Sequence, residues 1–380
     1  MINRLSKIIS ALTLVILVSC GPEVYKPIIP NTNPGGGNST IFTPGQGGDD
    51  HPVQEPTYYS NPVWKTYPSP DPTVIRVGDW FYSYSTEANI RILKSSDCVN
   101  WTLVGTAFTS QTRPRNVKTK EGKDVGLWAP DIEFIGGQYV LYYGQSAGDY
   151  MTGFGAATSD SPEGPFTDRG LLVYDELTGT KGNVDQFYFK DPVTGTQWMG
   201  WGSYGGNTGG LHIAELSDDG LSLKYVNKNV RDLSKIYRIA GSAWEGGQMY
   251  YHAGKYYLFC SGGYCCSGEN SDYNVQVATS SSPTGPFVNK KGENLNKVAG
   301  TWKIMAGNDY AVGPGHVSEI ILDDNKAEWI FYHGFVKGHA DEYKRVLFLD
   351  RLTWDAEGYP VINGGLGPSS RSEAPYFKSN

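Results

Sequence analysis

Five acidic or basic side chains stand at regular intervals along the chain, each at the start of an apolar or aromatic run. They are Asp71, Asp131, Asp185, Glu245 and His316, and the intervals between them are 60, 54, 60 and 71 residues. Two carboxyl groups that face each other across a cleft can hydrolyse a glycosidic bond, one as general acid and one as general base. A third carboxylate near the acid would raise the pKa of that acid by repulsion. The set could therefore perform acid–base hydrolysis, although such polar residues also serve as simple turn formers.

Each of these residues opens the pattern of a β-hairpin, with an apolar strand, a tight turn and an aromatic strand. The segment WAPDIEFIGGQYVLYYG at 128–144 is typical, and related segments begin near the other four residues. A further strand with its own turn follows each hairpin, and two of these, FGAATSDSPEGPF and VQVATSSSPTGPF, are nearly the same phrase. The repeating unit is therefore about four strands, used five times.

A four-stranded unit repeated radially about an axis is a blade of a β-propeller, whereas a stacked solenoid is the alternative for a repeat. The units are long and have strand patterns throughout, without helical periodicity. The sequence therefore predicts an all-β fold, a five-bladed β-propeller over residues 57–380. The first strand of each blade lines the central channel, so we expect the five repeated polar residues to converge in a solvated funnel at one end of the axis.

Composition narrows the class of partner. The chain has 380 residues, 26 Tyr, 10 Trp and a formal net charge of −7, with no long basic run. This argues against nucleic acid as the main partner. A neutral partner such as a sugar is compatible with this charge, and the aromatic side chains could stack on sugar rings.

The N-terminus has the features of a bacterial targeting segment. Residues 1–19 contain a basic start and an apolar run too short to span a bilayer, as in a secretory signal peptide. The segment LVSCG resembles a lipobox and predicts cleavage before Cys20 and lipidation of its sulfur; an ordinary signal with an incidental cysteine is the alternative. Residues 20–56 are rich in Gly and Pro and are expected to form a flexible tether.

These features predict a protein of the bacterial cell envelope, held at the outer membrane or cell surface through its lipid anchor only. Four other cysteines remain: Cys98, Cys260, Cys265 and Cys266. Export permits disulfide bonds, and spacing alone leaves their pairing open.

Several motifs resemble those of the family 43 glycoside hydrolases. They are PDPTVI, LWAPDI, WEGGQMYYHAGKYYLFCSGGYCC and GPGH, in the order of the family, and the likeness covers most of the chain from residue 71 to about 368. GKYYLF with the following CC, and GPGH, are more similar to the endo-1,5-α-L-arabinanases than to the xylosidases of the family. The resemblance implies an inverting hydrolase that cleaves internal α-1,5-L-arabinofuranosyl linkages of arabinan, a plant cell-wall polysaccharide.

The resemblance also implies roles for individual residues. Asp71 would be the general base that activates water, and Glu245 the general acid that protonates the leaving oxygen. Asp131 would raise the pKa of the acid and help to orient it. These three positions match the motifs PDPTVI, WEGGQ and LWAPDI.

Other positions are similar to ones that contact substrate or metal. Asn183 and Asp185 in GNVDQF, and Ser203 in WGSY, match substrate-contacting positions, although VDQ stands where IDP is usual. His316 in GPGH matches a histidine that faces a metal on the axis, usually calcium. Because calcium prefers oxygen ligands, a lone imidazole would give a partly hydrated site. A hydrogen-bonded histidine in a water-filled channel is the alternative.

Three functional hypotheses remain beside that of an endo-arabinanase. An exo-acting α-L-arabinofuranosidase or a β-xylosidase could use the same scaffold, and a non-catalytic surface propeller could bind glycan. The polar insertion SQTRPRNVKTKEGKDVG at 110–126 could shape the cleft, which bears on endo or exo action, or form a surface loop. We expect a monomer with an arabinan or arabino-oligosaccharide substrate.

Overall fold

The computed structural model describes residues 57–148, 151–297, 302–365 and 367–378. The signal peptide, the lipidated cysteine and the tether predicted for residues 1–56 lie outside the described residues. Within the described part, five antiparallel sheets of four strands follow one another along the chain, and the fifth carries one extra short strand. The predicted five-bladed β-propeller is confirmed.

Twenty-three strands are described, and each blade takes its strands from consecutive sequence. The bounds are β1 Tyr58–Ser60; for blade 1, β2 Thr73–Val77, β3 Trp80–Ser85, β4 Arg91–Ser95 and β5 Thr102–Thr106; for blade 2, β6 Trp128–Ile135, β7 Gln138–Ser146, β8 Thr152–Ser159 and β9 Thr167–Tyr174; for blade 3, β10 Phe187–Lys190, β11 Gln197–Trp201, β12 His212–Glu215 and β13 Tyr237–Arg238; for blade 4, β14 Glu245–His252, β15 Lys255–Gly262, β16 Asn274–Ser280 and β17 Lys303–Met305; for blade 5, β18 Ala311–Gly315, β19 Ile321–Leu322, β20 Glu328–Val336, β21 Val346–Trp354 and β22 Pro360–Ile362; and β23 Arg371–Glu373.

Helices are few and short in the described part of the chain. Two α-helical turns, α1 (Asp175–Thr178) and α2 (Ala340–Tyr343), lie in connections, and the 3₁₀ turns are Gly206–Thr208, Leu233–Lys235, Gly268–Asn270 and Asn363–Gly365. No helix among the described residues is long and apolar enough to cross a membrane.

The first strands of the blades lie side by side, because β2 contacts β6, β6 contacts β10 and β10 contacts β14. A tight turn after the first strand then leads the chain into the antiparallel second strand of the blade. In the turn between β6 and β7, Gly136 and Gly137 have φ of 60° and 91°, the left-handed backbone that a two-residue hairpin turn requires. The hairpins predicted from the repeat are therefore formed by local turn chemistry.

The core is divided among five clusters, each between neighbouring blades. The cluster between blades 5 and 1 closes the ring, and in it Trp101 packs edge-on against Phe331 with ring centroids 5.7 Å apart. The terminal strands β1 and β23 pair with each other. Tyr59 and Asn61 donate to the carbonyl of Leu349, at 2.5 and 2.8 Å, and so tie β1 and the residue after it to blade 5.

The cysteines fall into two groups. Cys98 and Cys260 are buried and free, whereas Cys265 and Cys266 are joined by a disulfide between sequence neighbours. Burial raises the pKa of the thiols of Cys98 and Cys260, which therefore behave as apolar core groups.

Candidate active site

A left-handed backbone recurs once in each blade, near the start of the first strand in blades 1 to 4 and directly after β18 in blade 5. The residues with this conformation are Asp71, Ala129, Asp185, Gly246 and His316, with φ of 52°, 40°, 55°, 52° and 53°. Such φ values are uncommon for residues other than glycine and concentrate at functional sites. Three residues predicted for the funnel occupy this position themselves. In blade 4 the position is Gly246, directly after the predicted acid.

The carboxylate of Asp71 is held from blades 1 and 5. Thr86 Oγ1 donates to its Oδ2 at 2.6 Å, and Arg345 Nη1 donates to its Oδ1 at 3.0 Å. Burial by itself raises the pKa of Asp71. The Arg345 charge and the neighbouring histidines outweigh that effect and hold its pKa well below the ordinary value. Asp71 is therefore ionised near neutral pH, as a general base must be.

Two residues that support Asp71 were not predicted from the sequence. His333, on β20, is fully buried and accepts the backbone N–H of Asp71 at Nδ1 over 3.0 Å. Burial lowers the pKa of His333 to about 4, so its ring is neutral. Arg345 precedes β21. Both residues lie more than 260 positions from Asp71 in sequence, and only the closure of blade 5 against blade 1 brings them to it.

Glu245 is the first residue of β14 and lies in the environment of a proton donor. Burial raises its pKa, and the charge of Asp71 adds to the increase. Ser203 Oγ donates to Glu245 Oε2 at 2.6 Å, and a hydrogen bond from Tyr273 also moderates the shift. Ser203, predicted to contact substrate, is thus in the site, where it orients the carboxyl group of Glu245.

Asp185 is the carboxylate beside this acid. Its Oδ2 accepts the backbone N–H of Gly246 at 3.1 Å and lies 4.0 Å from Nδ1 of His316. Burial raises the pKa of Asp185 well above its ordinary value, and the charges of Glu245 and Asp71 raise it further. Because neighbouring buried carboxylates repel each other, the pair of Asp185 and Glu245 keeps a proton more readily than either group would alone.

Asp131 makes its hydrogen bonds outside this group, so its contacts do not support the role predicted for it. Its Oδ1 accepts the hydroxyl of Thr73 at 3.0 Å and its Oδ2 accepts the backbone N–H of Tyr188 at 2.6 Å. Burial raises its pKa to about 6. The carboxyl groups on which its charge acts are Glu133 and Glu319, further along the axis.

The reason is an offset of two residues in the repeat. Ala129, followed by Pro130, holds the left-handed position in blade 2, and Asp71, followed by Pro72, holds it in blade 1. Asp131 therefore corresponds to Thr73. The register between β6 and β7 shifts between Trp128 and Asp131, which is a bulge that re-aims the strand entrance.

The side chain of Asn183 is enclosed by protein, so the structure does not support the substrate contact predicted for it. The residue is fully buried. Its Nδ2 donates to Asp175 Oδ1 at 2.7 Å and to the carbonyl of Thr180 at 2.9 Å, while its Oδ1 accepts from Trp201 Nε1 at 2.9 Å. Its side chain is thus committed to the loop that carries Asp185.

His316 lies at the centre of the polar group. Its Nδ1 lies 3.6 Å from Asp71 Oδ1, and its backbone N–H donates to Ser261 Oγ at 2.9 Å. Burial lowers the pKa of His316, so the ring is a neutral imidazole that could ligate a metal. Among the described residues, no cluster of three or more His, Cys, Asp or Glu side chains could hold a metal ion. The residues thus fit only an ion hydrated mostly by water, and calcium stays a prediction.

The insertion at 110–126 joins the end of β5 to the start of β6, and therefore lies at the end of the axis where Asp71 and Glu245 lie. It is tied to blade 2, because the backbone N–H of Val117 donates to Gln145 Oε1 at 3.0 Å and Asn116 Nδ2 donates to the hydroxyl of Tyr143 at 3.0 Å. A cavity of about 700 Å³ lies at the opposite end, lined by Glu133 and Glu319 among others, and takes no part in this site.

Comparisons with known proteins find similar glycoside hydrolases. An extracellular exo-α-(1→5)-L-arabinofuranosidase of Cellvibrio japonicus is 32% identical over 309 residues, covering 77% of this chain and 86% of the relative. An extracellular endo-α-(1→5)-L-arabinanase of Bacillus subtilis is 32% identical over 257 residues, covering 64% and 75%. The solved α-L-arabinanase of Cellvibrio cellulosa, complexed with arabinohexaose, is 28% identical with a TM-score of 0.66, covering 78% and 95%.

The family model described as glycosyl hydrolases family 43 matches residues 59–360, which include all five blades almost to their end. The acid and base positions derived from the geometry lie within that match. The resemblance inferred from the motifs is therefore confirmed. This chain belongs to family 43 of the glycosyl hydrolases and is an arabinanase-like glycoside hydrolase.

Proposed function

We propose that the protein hydrolyses internal α-1,5-linked L-arabinofuranosyl bonds of arabinan with inversion at the anomeric carbon. The observation that carries this proposal is the contrast in pKa between Asp71, held ionised by Arg345, and Glu245, where burial favours the protonated form. Groups whose environments push their pKa values apart are suited to opposite acid and base roles. The names of the similar enzymes from Cellvibrio and Bacillus support the α-1,5-arabinan substrate.

In this mechanism Asp71 takes a proton from a water molecule while the water oxygen forms a bond to the anomeric carbon. The bond between that carbon and the glycosidic oxygen breaks, and the oxygen takes the proton held by Glu245. Attack from the face opposite to the leaving group inverts the configuration. Inversion requires room for the water, so we expect the carboxyl groups of Asp71 and Glu245 to lie roughly 6.5–9.5 Å apart.

Asp185 takes, in this proposal, the role that the sequence predicted for Asp131. Its carboxylate accepts a hydrogen bond from the backbone N–H of Gly246, the residue after Glu245. The charge of Glu245 also raises the pKa of Asp185. After the acid has given up its proton, repulsion from Asp185 favours return of a proton to Glu245. Ser203 keeps the acid in one orientation through its bond to Oε2.

Exo cleavage on the same site is the second candidate, because the Cellvibrio japonicus relative is named as an exo-acting arabinofuranosidase and is as similar as the endo-acting relative. The two candidates share the acid and the base and differ in how the cleft ends. Product size distinguishes them, since an endo enzyme first releases mixed oligosaccharides and an exo enzyme releases one short product from the start.

The test is reducing-sugar release from debranched arabinan, with xylan as a control polymer and Glu245→Gln as the inactive control variant. We expect release from arabinan alone, with early products of several lengths. NMR of the first product should show the inverted anomer. Release from xylan but not from arabinan would contradict the substrate, and a retained anomer would contradict the mechanism.

A further inference from the structure

The segment 263–272, which we call the rim loop, is held firmly at the end of the axis where the acid lies. The backbone N–H of Tyr264 donates to Asp272 Oδ1 at 2.7 Å, and that of Ser267 donates to Ser271 Oγ at 2.9 Å. Glu269 Oε1 accepts the backbone N–H of Gly338 at 2.6 Å, which fixes the loop to blade 5. The loop is therefore braced internally and against its neighbour.

This braced loop presents apolar groups to solvent. Tyr264 is 75% exposed, the largest exposure among the large hydrophobic side chains of the described residues. The next two residues, Cys265 and Cys266, form the disulfide, and Cys266 is exposed. A single exposed aromatic residue is ordinary, but here a ring and a disulfide lie next to each other on a fixed backbone.

A short chain of contacts connects the rim loop to the general acid. The hydroxyl of Tyr204, itself 37% exposed, donates to the carbonyl of Gly263 at 2.7 Å. The residue before it, Ser203, donates to Glu245 Oε2 at 2.6 Å. Burial raises the pKa of Tyr204, and the charges of Glu245 and Asp185 raise it further, which is consistent with their proximity. Tyr204 thus stands between the acid and the rim loop.

We propose that Tyr204, Tyr264 and the disulfide of Cys265 and Cys266 form a subsite for an arabinofuranosyl unit on the leaving-group side of the bond that is cleaved. This inference rests on the proposed function. The general acid protonates the leaving oxygen, so the sugar attached to that oxygen lies beyond Glu245, toward Tyr204. The ring faces and the soft, polarisable sulfur atoms offer a surface for the C–H groups of a furanose.

The rigidity of the loop is part of this inference. A surface that must be ordered on binding loses affinity, whereas a preorganised surface does not bear that cost. The internal hydrogen bonds and the bond to Gly338 hold the rim loop before substrate arrives, and a disulfide between sequence neighbours restricts the turn further. Gly263 has φ of 90° and would meet the backbone of Asp272 if it carried a Cβ, so the turn also depends on a glycine there.

The test compares Tyr264→Ala and the double variant Cys265→Ser/Cys266→Ser with wild type. Arabinohexaose and a nitrophenyl arabinofuranoside serve as substrates, because only the first places a sugar beyond the acid. We expect KM for arabinohexaose to rise about ten-fold in each variant, equivalent to about 1.4 kcal/mol, with kcat within about two-fold. The nitrophenyl substrate should change by less than about two-fold in kcat/KM.

Phe134→Ala is the matched control. Phe134 is also an aromatic residue, 56% exposed, but it lies near the far end of β6, at the opposite end of the axis. Its truncation should leave KM for arabinohexaose unchanged. An unchanged KM in Tyr264→Ala and in the double serine variant would overturn the subsite, and so would equal losses on both substrates.

Binding in an inactive background separates this inference from the proposed function. Calorimetry of arabinohexaose with Glu245→Gln, and with Glu245→Gln carrying Tyr264→Ala, should show about ten-fold weaker affinity in the second protein. If wild type cleaves arabinohexaose and the two affinities are equal, only the subsite is overturned. If wild type does not cleave arabinohexaose at all, the proposed function is contradicted, and the subsite with it. Tyr264→Ala leaves both cysteines in place, so the test does not depend on folding of the serine variant.

Discussion

The hydroxyl of Thr73 donates a hydrogen bond to Asp131 Oδ1 at 3.0 Å, from blade 1 to blade 2. The bond places Asp131 at the level of Thr73, two residues along the strand from the position that Asp71 occupies. Asp185, not Asp131, is therefore the third carboxylate at the level of Asp71 and Glu245.

Asp185→Asn should move the alkaline limb of the profile of kcat/KM against pH to lower pH. Removing the negative charge next to Glu245 makes its ionised form less costly, so the pKa of Glu245 falls and the acid loses its proton earlier as pH rises. We expect a shift of about one pH unit, which corresponds to about 1.4 kcal/mol. The control is Asp131→Asn, which should leave this limb in place. A shift in Asp131→Asn alone would restore the role predicted for Asp131.

Glu245→Ala should lose polysaccharide cleavage yet retain more activity on an aryl arabinofuranoside, because a good leaving group needs less protonation. Asp71→Ala should lose activity on both substrates, since water activation is needed for either. A general acid or base typically contributes about 10²–10⁴-fold. Losses of only about two-fold in both variants, measured as kcat/KM, would contradict the assignment.

Arg345→Gln should move the acidic limb of the same profile to higher pH. The guanidinium group holds the pKa of Asp71 well below its ordinary value, so its removal raises that pKa and lets the base become protonated at higher pH. The control is Arg351→Gln, an exposed arginine on β21, the strand that Arg345 directly precedes. An acidic limb that is unchanged in Arg345→Gln would contradict the role assigned to the guanidinium group.

Chelation tests the calcium ion predicted at His316. A bound ion stabilises the folded state by mass action, so removing it should lower the melting temperature, and adding calcium should restore it. His316→Gln should make the melting temperature insensitive to chelator. If thorough chelation has no effect and elemental analysis detects no metal, His316 is a neutral hydrogen-bonded residue of a water-filled channel.

We propose lipidation at Cys20 from the motif LVSCG. The full-length protein should incorporate labelled fatty acid and sediment with membranes, because several acyl chains hold a protein firmly where one does not. Cys20→Ala should incorporate none and be recovered in the soluble fraction. Wild-type protein without label would contradict the lipobox.

The sequence by itself determined the fold and most of the chemistry. Strand alternation, glycine turns and the five-fold spacing are local patterns, and a blade is built from consecutive residues, so these patterns predict a propeller without knowledge of distant contacts. Asp71 and Glu245 belong to the same repeated pattern, and the resemblance to the family supplied the roles predicted for them. A Pro follows both Asp71 and Ala129, and this shared feature marks the equivalent position of blade 2 in the sequence.

Only the tertiary structure decided which side chains lie at the same height along the propeller axis and which ones meet between neighbouring blades. The level depends on bulges and on left-handed backbone at strand entrances, and a shift of two residues keeps the same face of the strand, so the hydrophobic pattern does not reveal it. Arg345 and His333 reach Asp71 because blade 5 packs against blade 1, an arrangement that spans most of the chain. The sequence predicted that Asn183 contacts substrate, whereas in the structure its side chain hydrogen-bonds to Asp175 within a buried loop. Local periodicity specifies the elements, whereas ring closure and strand bulges specify the site.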